Sequence, residues 1–91
     1  MYYISMPTVS SFYGITIKMY WNDHVPPHFH AEYGDFEAIV AIEALEILKG
    51  ELPKSARRLV LEWAQAHQDE LRVAWESARD SREIPKIEPL S

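Results

Sequence analysis

Cysteine is absent from the 91-residue sequence. Its absence excludes disulfides, thiolate catalysis and cysteine-ligated zinc, and it is compatible with a reducing cytoplasm. Long apolar runs are also absent, since none approaches the roughly 20 residues that a membrane span needs. The first five residues lack the basic and apolar regions of a signal peptide. We therefore expect a cytoplasmic protein that makes no contact with membranes.

Positive charge is scarce as well. Nine Lys and Arg residues against fourteen Asp and Glu residues give a net charge of −5. Binding of nucleic acid through bulk charge needs clustered basic residues, so the composition disfavours it. One local basic cluster, formed by Lys49, Lys54, Arg57 and Arg58, leaves nucleic acid open as a partner. No glycine-rich phosphate loop, nucleophile elbow or His-Glu-x-x-His motif occurs, which excludes several large enzyme classes.

What the sequence does contain is a histidine-rich block at positions 22–33, called the histidine block below. The block holds three of the four histidines, the pair Pro26-Pro27 and two carboxylates. After Pro27 the chain is typical of a strand, on which alternate side chains share a face. His28, His30 and Glu32 then project to one side, which we expect to be an exposed face or a cleft. The apolar residues between them face the core.

The predicted fold is a single α+β domain over residues 1–91, in which a meander of about four antiparallel strands is packed by one long C-terminal helix. Alternation of apolar side chains predicts strands at 14–21, from residue 28 to the turn at Gly34, and at 35–42, with a short strand near 46–52. Residues 1–5 are expected to be a disordered extension or a mis-called start, and residues 84–91 an extended tail.

The register of the first two predicted strands follows from keeping apolar side chains on one face. This condition pairs Ile17 with Tyr33, Met19 with Ala31 and Trp21 with Phe29. The same register sets Tyr20 opposite His30, and Asn22 opposite His28, on the polar face. Across Gly34, it pairs Tyr33 with Phe36 and Glu32 with Glu37.

An uninterrupted apolar stripe predicts one helix from Pro53 to about Arg79. Such a helix is about 40 Å long and overhangs strands of about 20 to 27 Å. Leu71, Val73 and Trp75 on the overhang then need another surface. The simplest is a second copy of the chain, so we expect a homodimer.

Two chemistries suit the histidine block. The first is a divalent metal site formed by His28, His30 and Glu32, with His24 or Asp23 as other choices for the third ligand. Two histidines and one carboxylate are the ligand set of non-haem iron, and three histidines suit catalytic zinc. The competing interpretation is a solvent-facing strand beside a turn, because short His-x-His patterns arise often by chance.

The second chemistry needs no metal. One histidine acts as base and another as acid, as in metal-independent ribonucleases, and Tyr20 or Lys18 stabilises charge. The candidate catalytic residues are then His24, His28, His30 and Tyr20. Nearby carboxylates argue against this hypothesis, since they would repel phosphate.

Several segments resemble one known family. They are Met6-Pro7-Thr8-Val9-Ser10, Phe12-Tyr13-Gly14, the histidine-diproline block from Asn22 to Ala31, and Leu59-Val60-Leu61-Glu62-Trp63. Over positions 6 to about 90 the chain resembles the domain-of-unknown-function family 4160 of small bacterial proteins. That resemblance implies a partner protein from an adjacent gene, because members often lie in toxin-antitoxin-like gene pairs. It brings no established catalytic residues.

We therefore expect an interaction component of a two-gene, toxin-antitoxin-like module that uses the histidine block as a surface site. The alternative is a small hydrolase or ribonuclease that uses His28 and His30, with or without a divalent metal ion.

Overall fold

The structure is a computed structural model that describes residues 7–91. Five antiparallel strands form one sheet in the order β1-β2-β3-β4-β5, and two helices follow. The elements are β1 (Thr8–Phe12), β2 (Ile15–Lys18), β3 (His28–Tyr33), β4 (Phe36–Ala41), β5 (Ile47–Gly50), α1 (Lys54–Ala66) and α2 (Gln68–Arg79). The predicted α+β meander is confirmed, whereas the predictions of about four strands and one helix are wrong. The expected extension at residues 1–5 lies outside the described residues.

The additional strand, β1, forms a hairpin with β2. Phe12 pairs with Ile15, so Tyr13 and Gly14 alone make the turn, with φ angles of 49° and 79°. Positive φ at both central residues is the geometry that fits the twist of a two-residue hairpin. Tyrosine is uncommon at such a position. The turn at Tyr13-Gly14 was therefore not predicted from the sequence.

The predicted register between β2 and β3 is wrong by two residues. Ile17 pairs with Ala31, and Ile15 pairs with Tyr33. A shift of two keeps every side chain on its face, because the side-chain period of a strand is two. The apolar residues therefore still face the core. Across the next turn, Tyr33 pairs with Phe36 and Glu32 with Glu37, as predicted.

The end of β2 differs from the prediction more seriously. The strand stops at Lys18, and residues 19–27 form a loop. Tyr20 and Asn22 consequently have no ladder partners on β3. Trp21, which was expected in the core, is 39% exposed, and its indole N–H donates to the carbonyl of Arg82 at 2.8 Å.

The core lies between α1 and one face of the sheet. Trp63 of α1 is fully buried, and its ring centroid lies 5.4 Å from that of Phe12 and 5.8 Å from that of Phe29. The other large, fully buried side chains are Val9, Ile15, Ile17, Met19, Val40, Ile42, Val60 and Leu71. This packing leaves the opposite face of the sheet, which carries His28 and His30, for other contacts.

The helical segment is interrupted at His67, whose φ of −120° and ψ of 26° lie outside the helix. After the break, Gln68 Nε2 donates to the carbonyl of Ile42 at 2.7 Å and so ties the start of α2 to the end of β4. Leu71 and Trp75 are buried within the chain, and Val73 is 59% exposed. The predicted overhang is therefore wrong. The homodimer is no longer supported by an overhanging helix and stays a prediction.

The segment after α2 returns to β1. Ile87 N–H donates to the carbonyl of Val9 at 2.9 Å, and the indole N–H of Trp63 donates to the carbonyl of Glu88 at 2.8 Å. These bonds hold the C-terminal segment against the hairpin and the core. Within residues 7–91, no helix has the length and apolar character to cross a membrane.

Candidate metal centre

The site begins in the loop between β2 and β3, which is fastened to the end of α2. Asn22 N–H donates to the carbonyl of Ala78 at 3.1 Å, and Asn22 Nδ2 donates to Ser81 Oγ at 3.0 Å. Asn22 itself has a φ of 53°, a conformation that asparagine tolerates better than most residues. The next residue, Asp23, is thereby directed toward the first residues of β3.

Asp23 meets two histidines there. Its Oδ2 lies 2.9 Å from His28 Nε2 and 3.5 Å from His30 Nε2. Both histidines project from the same face of β3, and their ring centroids are 5.4 Å apart. One donor atom from each of the three residues lies within 4.8 Å of the others. The sequence pattern predicted the two histidines with Glu32 as the first choice of carboxylate, whereas the carboxylate next to them in the fold is Asp23, which was one of the other choices.

The second nitrogen of each ring also has a partner. His28 Nδ1 lies 2.7 Å from the carbonyl oxygen of Pro26, and His30 Nδ1 lies 3.3 Å from Glu37 Oε2. A carbonyl oxygen only accepts, so His28 Nδ1 carries the proton and donates it. An ionised Glu37 likewise accepts from His30 Nδ1. This arrangement leaves Nε2 of each ring as the nitrogen that faces Asp23 Oδ2.

Two aromatic rings cover the histidines. The Tyr20 ring stands edge-on to His30, with centroids 4.8 Å apart at 90°, and the Trp75 ring lies 5.2 Å from that of His28. Each histidine is consequently only 7% exposed. The prediction that His28 and His30 are exposed is wrong, because the loop and α2 close over this end of the sheet.

Electrostatics favour an ionised Asp23. Burial acts to raise its pKa, but hydrogen bonds from the His24 backbone N–H and from the histidine rings outweigh that effect. The pKa of Asp23 therefore lies below its ordinary value of 3.8. The carboxylate is then available as an anionic ligand at neutral pH.

The other predicted site residues take different positions. Glu32 points toward Lys18, with Oε1 3.1 Å from Nζ, and is not part of the cluster. His24 is exposed, and within residues 7–91 its ring forms no hydrogen bond to the cluster. Tyr20 joins the site through its ring, as described above. The structure thus assembles His28, His30 and Tyr20, and it replaces Glu32 with Asp23.

Sequence reasoning gave no role in this site to Glu37 or Trp75. The correctly predicted pairing of Glu32 with Glu37 puts Glu37 diagonally across from His30. The contact between Glu37 and His30 could therefore have been predicted from the register. Trp75 had no such signal, because its contact with His28 depends on the break at His67.

The comparisons with known proteins identify a family and no individual relative. Neither the curated proteins nor the solved structures contain a match to the chain. The sequence profile described as a domain of unknown function, DUF4160, matches residues 14–76. That span covers most of the chain and includes Asp23, His28 and His30. The chain belongs to the DUF4160 family.

Proposed function

We propose that Asp23, His28 and His30 bind one divalent metal ion and that the protein is a metal-dependent hydrolase. The observation that carries this proposal is the convergence of two imidazole nitrogens on one carboxylate oxygen, at 2.9 and 3.5 Å. Ligands about 2.1 Å from one ion are about 3.0 to 3.4 Å apart at octahedral to tetrahedral angles. The two observed separations are close to that interval, and the ligand atoms of the three residues all lie within 4.8 Å of one another.

The outer contacts support the same assignment. Histidines that bind metals usually donate their second ring N–H to a carbonyl or carboxylate, which fixes the tautomer and the ring orientation. His28 has the Pro26 carbonyl in that role, and His30 has Glu37. The nitrogens that remain, Nε2 of both rings, face Asp23 Oδ2, so the three candidate ligand atoms lie on the inner side of the cluster.

The ligand set suggests what the ion would do. Two imidazoles and one carboxylate suit zinc, manganese or iron(II), and three protein ligands leave coordination positions for water and substrate. A divalent ion supplies an activated water for hydrolysis at neutral pH. The buried rings of His28 and His30 hold the ion, and Tyr20 and Trp75 keep those rings in place by packing on them.

The surface role expected from the family resemblance has less support. His28 and His30 are buried, so they offer little area to a partner protein. The toxin-antitoxin-like pairing, the partner from an adjacent gene and the homodimer stay predictions.

The first test is calorimetric titration of untagged protein with zinc, manganese and iron(II). We expect one ion per chain. Asp23→Asn preserves the size of the side chain and should weaken binding by more than about 100-fold, since losing an outer-sphere partner alone costs about 10- to 100-fold. Glu37→Gln should weaken it by about tenfold. His24→Ala is the matched control, because it removes an exposed histidine next to Asp23, and it should bind as the wild type does.

The second test is activity. Hydrolysis of chromogenic esters should disappear on chelation and return with the metal, and Asp23→Asn should be inactive while its circular dichroism spectrum is unchanged. Failure to bind any of the three ions stoichiometrically would overturn the metal centre. Binding without hydrolysis of any ester would overturn the enzymatic assignment alone.

A further inference from the structure

A cleft of about 310 Å³ adjoins the centre on the open face of the sheet. Its lining residues are Tyr20, His30, Glu37, Ile39, Lys49 and Gly50. His30 therefore belongs both to the proposed metal centre and to the wall of the cleft. A substrate in this cleft would lie beside His30, one of the three proposed ligands.

Backbone pairing explains why a lysine faces this cleft. His30 pairs with Ile39, and Ile39 pairs with Lys49, so the three residues form one row across β3, β4 and β5 on the same face. Neighbouring strands lie about 4.8 Å apart, which puts the Lys49 backbone about 10 Å from that of His30. The side chain of a lysine is long enough to reach a group bound between the two.

The two lysines near this row, Lys18 and Lys49, differ in whether they form an ion pair. On the other side of His30, Lys18 is paired with Glu32 at 3.1 Å. Lys49 forms no ion pair with any of the residues from 7 to 91. A divalent ion would offset the charges of Asp23 and Glu37, and Lys49 then leaves the cleft with a net positive charge. The occupied site is therefore matched to an anion.

We propose that the substrate of this centre is a phosphodiester, whose phosphate binds between the metal ion and Lys49. This inference rests on the proposed function and gives it a substrate class. A diester carries one negative charge, which matches the one lysine that lines the cleft, and the apolar Ile39 and the Tyr20 ring offer a wall for an esterified group. Hydrolysis adds water across one P–O bond. The water oxygen joins phosphorus and the leaving oxygen takes a proton, so no oxidant or reductant is consumed.

The test uses zinc- or manganese-loaded wild-type protein and three chromogenic probes: bis(p-nitrophenyl) phosphate, p-nitrophenyl phosphate and p-nitrophenyl acetate. We expect the diester to be hydrolysed with the highest kcat/KM. Lys49→Gln should raise the KM for the diester about tenfold, as expected for the loss of one charged contact. Lys49→Arg should retain most of the wild-type KM. Lys54→Gln is the matched control, because it removes an exposed lysine of α1 that does not line the cleft.

A second arm separates two sources of the diester. A short single-stranded RNA and a cyclic dinucleotide are offered to the metal-loaded protein, and cleavage of either supports the proposal and identifies the source. Preference for the acetate ester, or an unchanged diester KM in Lys49→Gln, would overturn the phosphodiester assignment while metal binding persists. Loss of stoichiometric metal binding would instead overturn the proposed function, so the two failures are distinguishable.

Discussion

Two buried tryptophans provide a direct test of the packing. Trp63 is 0% exposed and Trp75 is 2% exposed. The indole N–H of Trp63 donates to the Glu88 carbonyl at 2.8 Å. Trp75 Nε1, in contrast, is buried without an acceptor among the residues that the structure describes. The same substitution, Trp→Phe, therefore removes a hydrogen bond at one position and an unpaired donor at the other.

The two effects can be estimated. Each substitution deletes the same atoms from a packed interior and so costs a similar free energy for lost contacts and residual cavity, about 1 to 2 kcal/mol. At position 63 the lost hydrogen bond adds about 0.5 to 1.5 kcal/mol. At position 75 removal of an unsatisfied buried donor returns about 1 kcal/mol or more. We expect Trp63→Phe to be less stable than Trp75→Phe by about 2 kcal/mol.

Urea denaturation followed by far-ultraviolet circular dichroism measures the difference. The midpoint and the slope of each transition are compared with those of wild type, and equal slopes show that the unfolded states are comparable. Equal losses of stability, or a greater loss in Trp75→Phe, would refute the hydrogen-bond assignment at these two positions. Trp75→Ala extends the test, and it should cost about 3 to 5 kcal/mol if α2 is packed as described.

The remaining predictions concern the end of β5, an ion pair and the metal. Gly50→Ala should destabilise the protein by about 2 kcal/mol or more in the same assay. Gly50 has a φ of 81°, and an added Cβ would lie 2.1 Å from the Glu37 carbonyl oxygen. An unchanged urea midpoint would contradict this geometry. Hydrogen bonds from Arg72 lower the pKa of Glu43 below its ordinary value of 4.5, so the pair stabilises the fold above that value and loses its effect as the pH falls through the lowered pKa. Carboxyl titration by NMR should show this lowered pKa, and Arg72→Gln should return it toward the ordinary value; no change in Arg72→Gln would reject the cause. Zinc at 100 times its Kd should stabilise the protein by about 2.7 kcal/mol, which raises Tm by about 10 to 20 °C. Asp23→Asn should lose this shift in Tm. An equal shift in that variant would exclude Asp23 as a ligand.

The sequence predicted those features that depend on local periodicity. Alternation in residues 28–33 identified both the strand and the common face of His28 and His30, and Gly34 marked the hairpin to β4. These predictions succeeded because neighbouring side chains on a strand are constrained by the backbone alone. The register error of two residues left the faces intact for the same reason.

Features that depend on long-range packing were not predictable from the same patterns. No glycine or proline marks the break at His67, and Leu71 and Trp75 of α2 are buried within their own chain. The stripe of apolar residues is the same for one straight helix and for two helices that meet at an angle, so periodicity cannot distinguish them. The conclusion that Trp75 lies at a dimer interface followed from the wrong choice between these two.

The proposed metal centre depends both on the local periodicity of β3 and on long-range packing. Asp23 is held by the bond from Asn22 N–H to the Ala78 carbonyl, and His28 is covered by Trp75, so both depend on α2. Changes that displace α2, such as Trp75→Ala, should therefore weaken metal binding although residue 75 supplies no ligand. Equal metal affinity in folded Trp75→Ala and wild type would show that β3 and the loop form the centre without the helix.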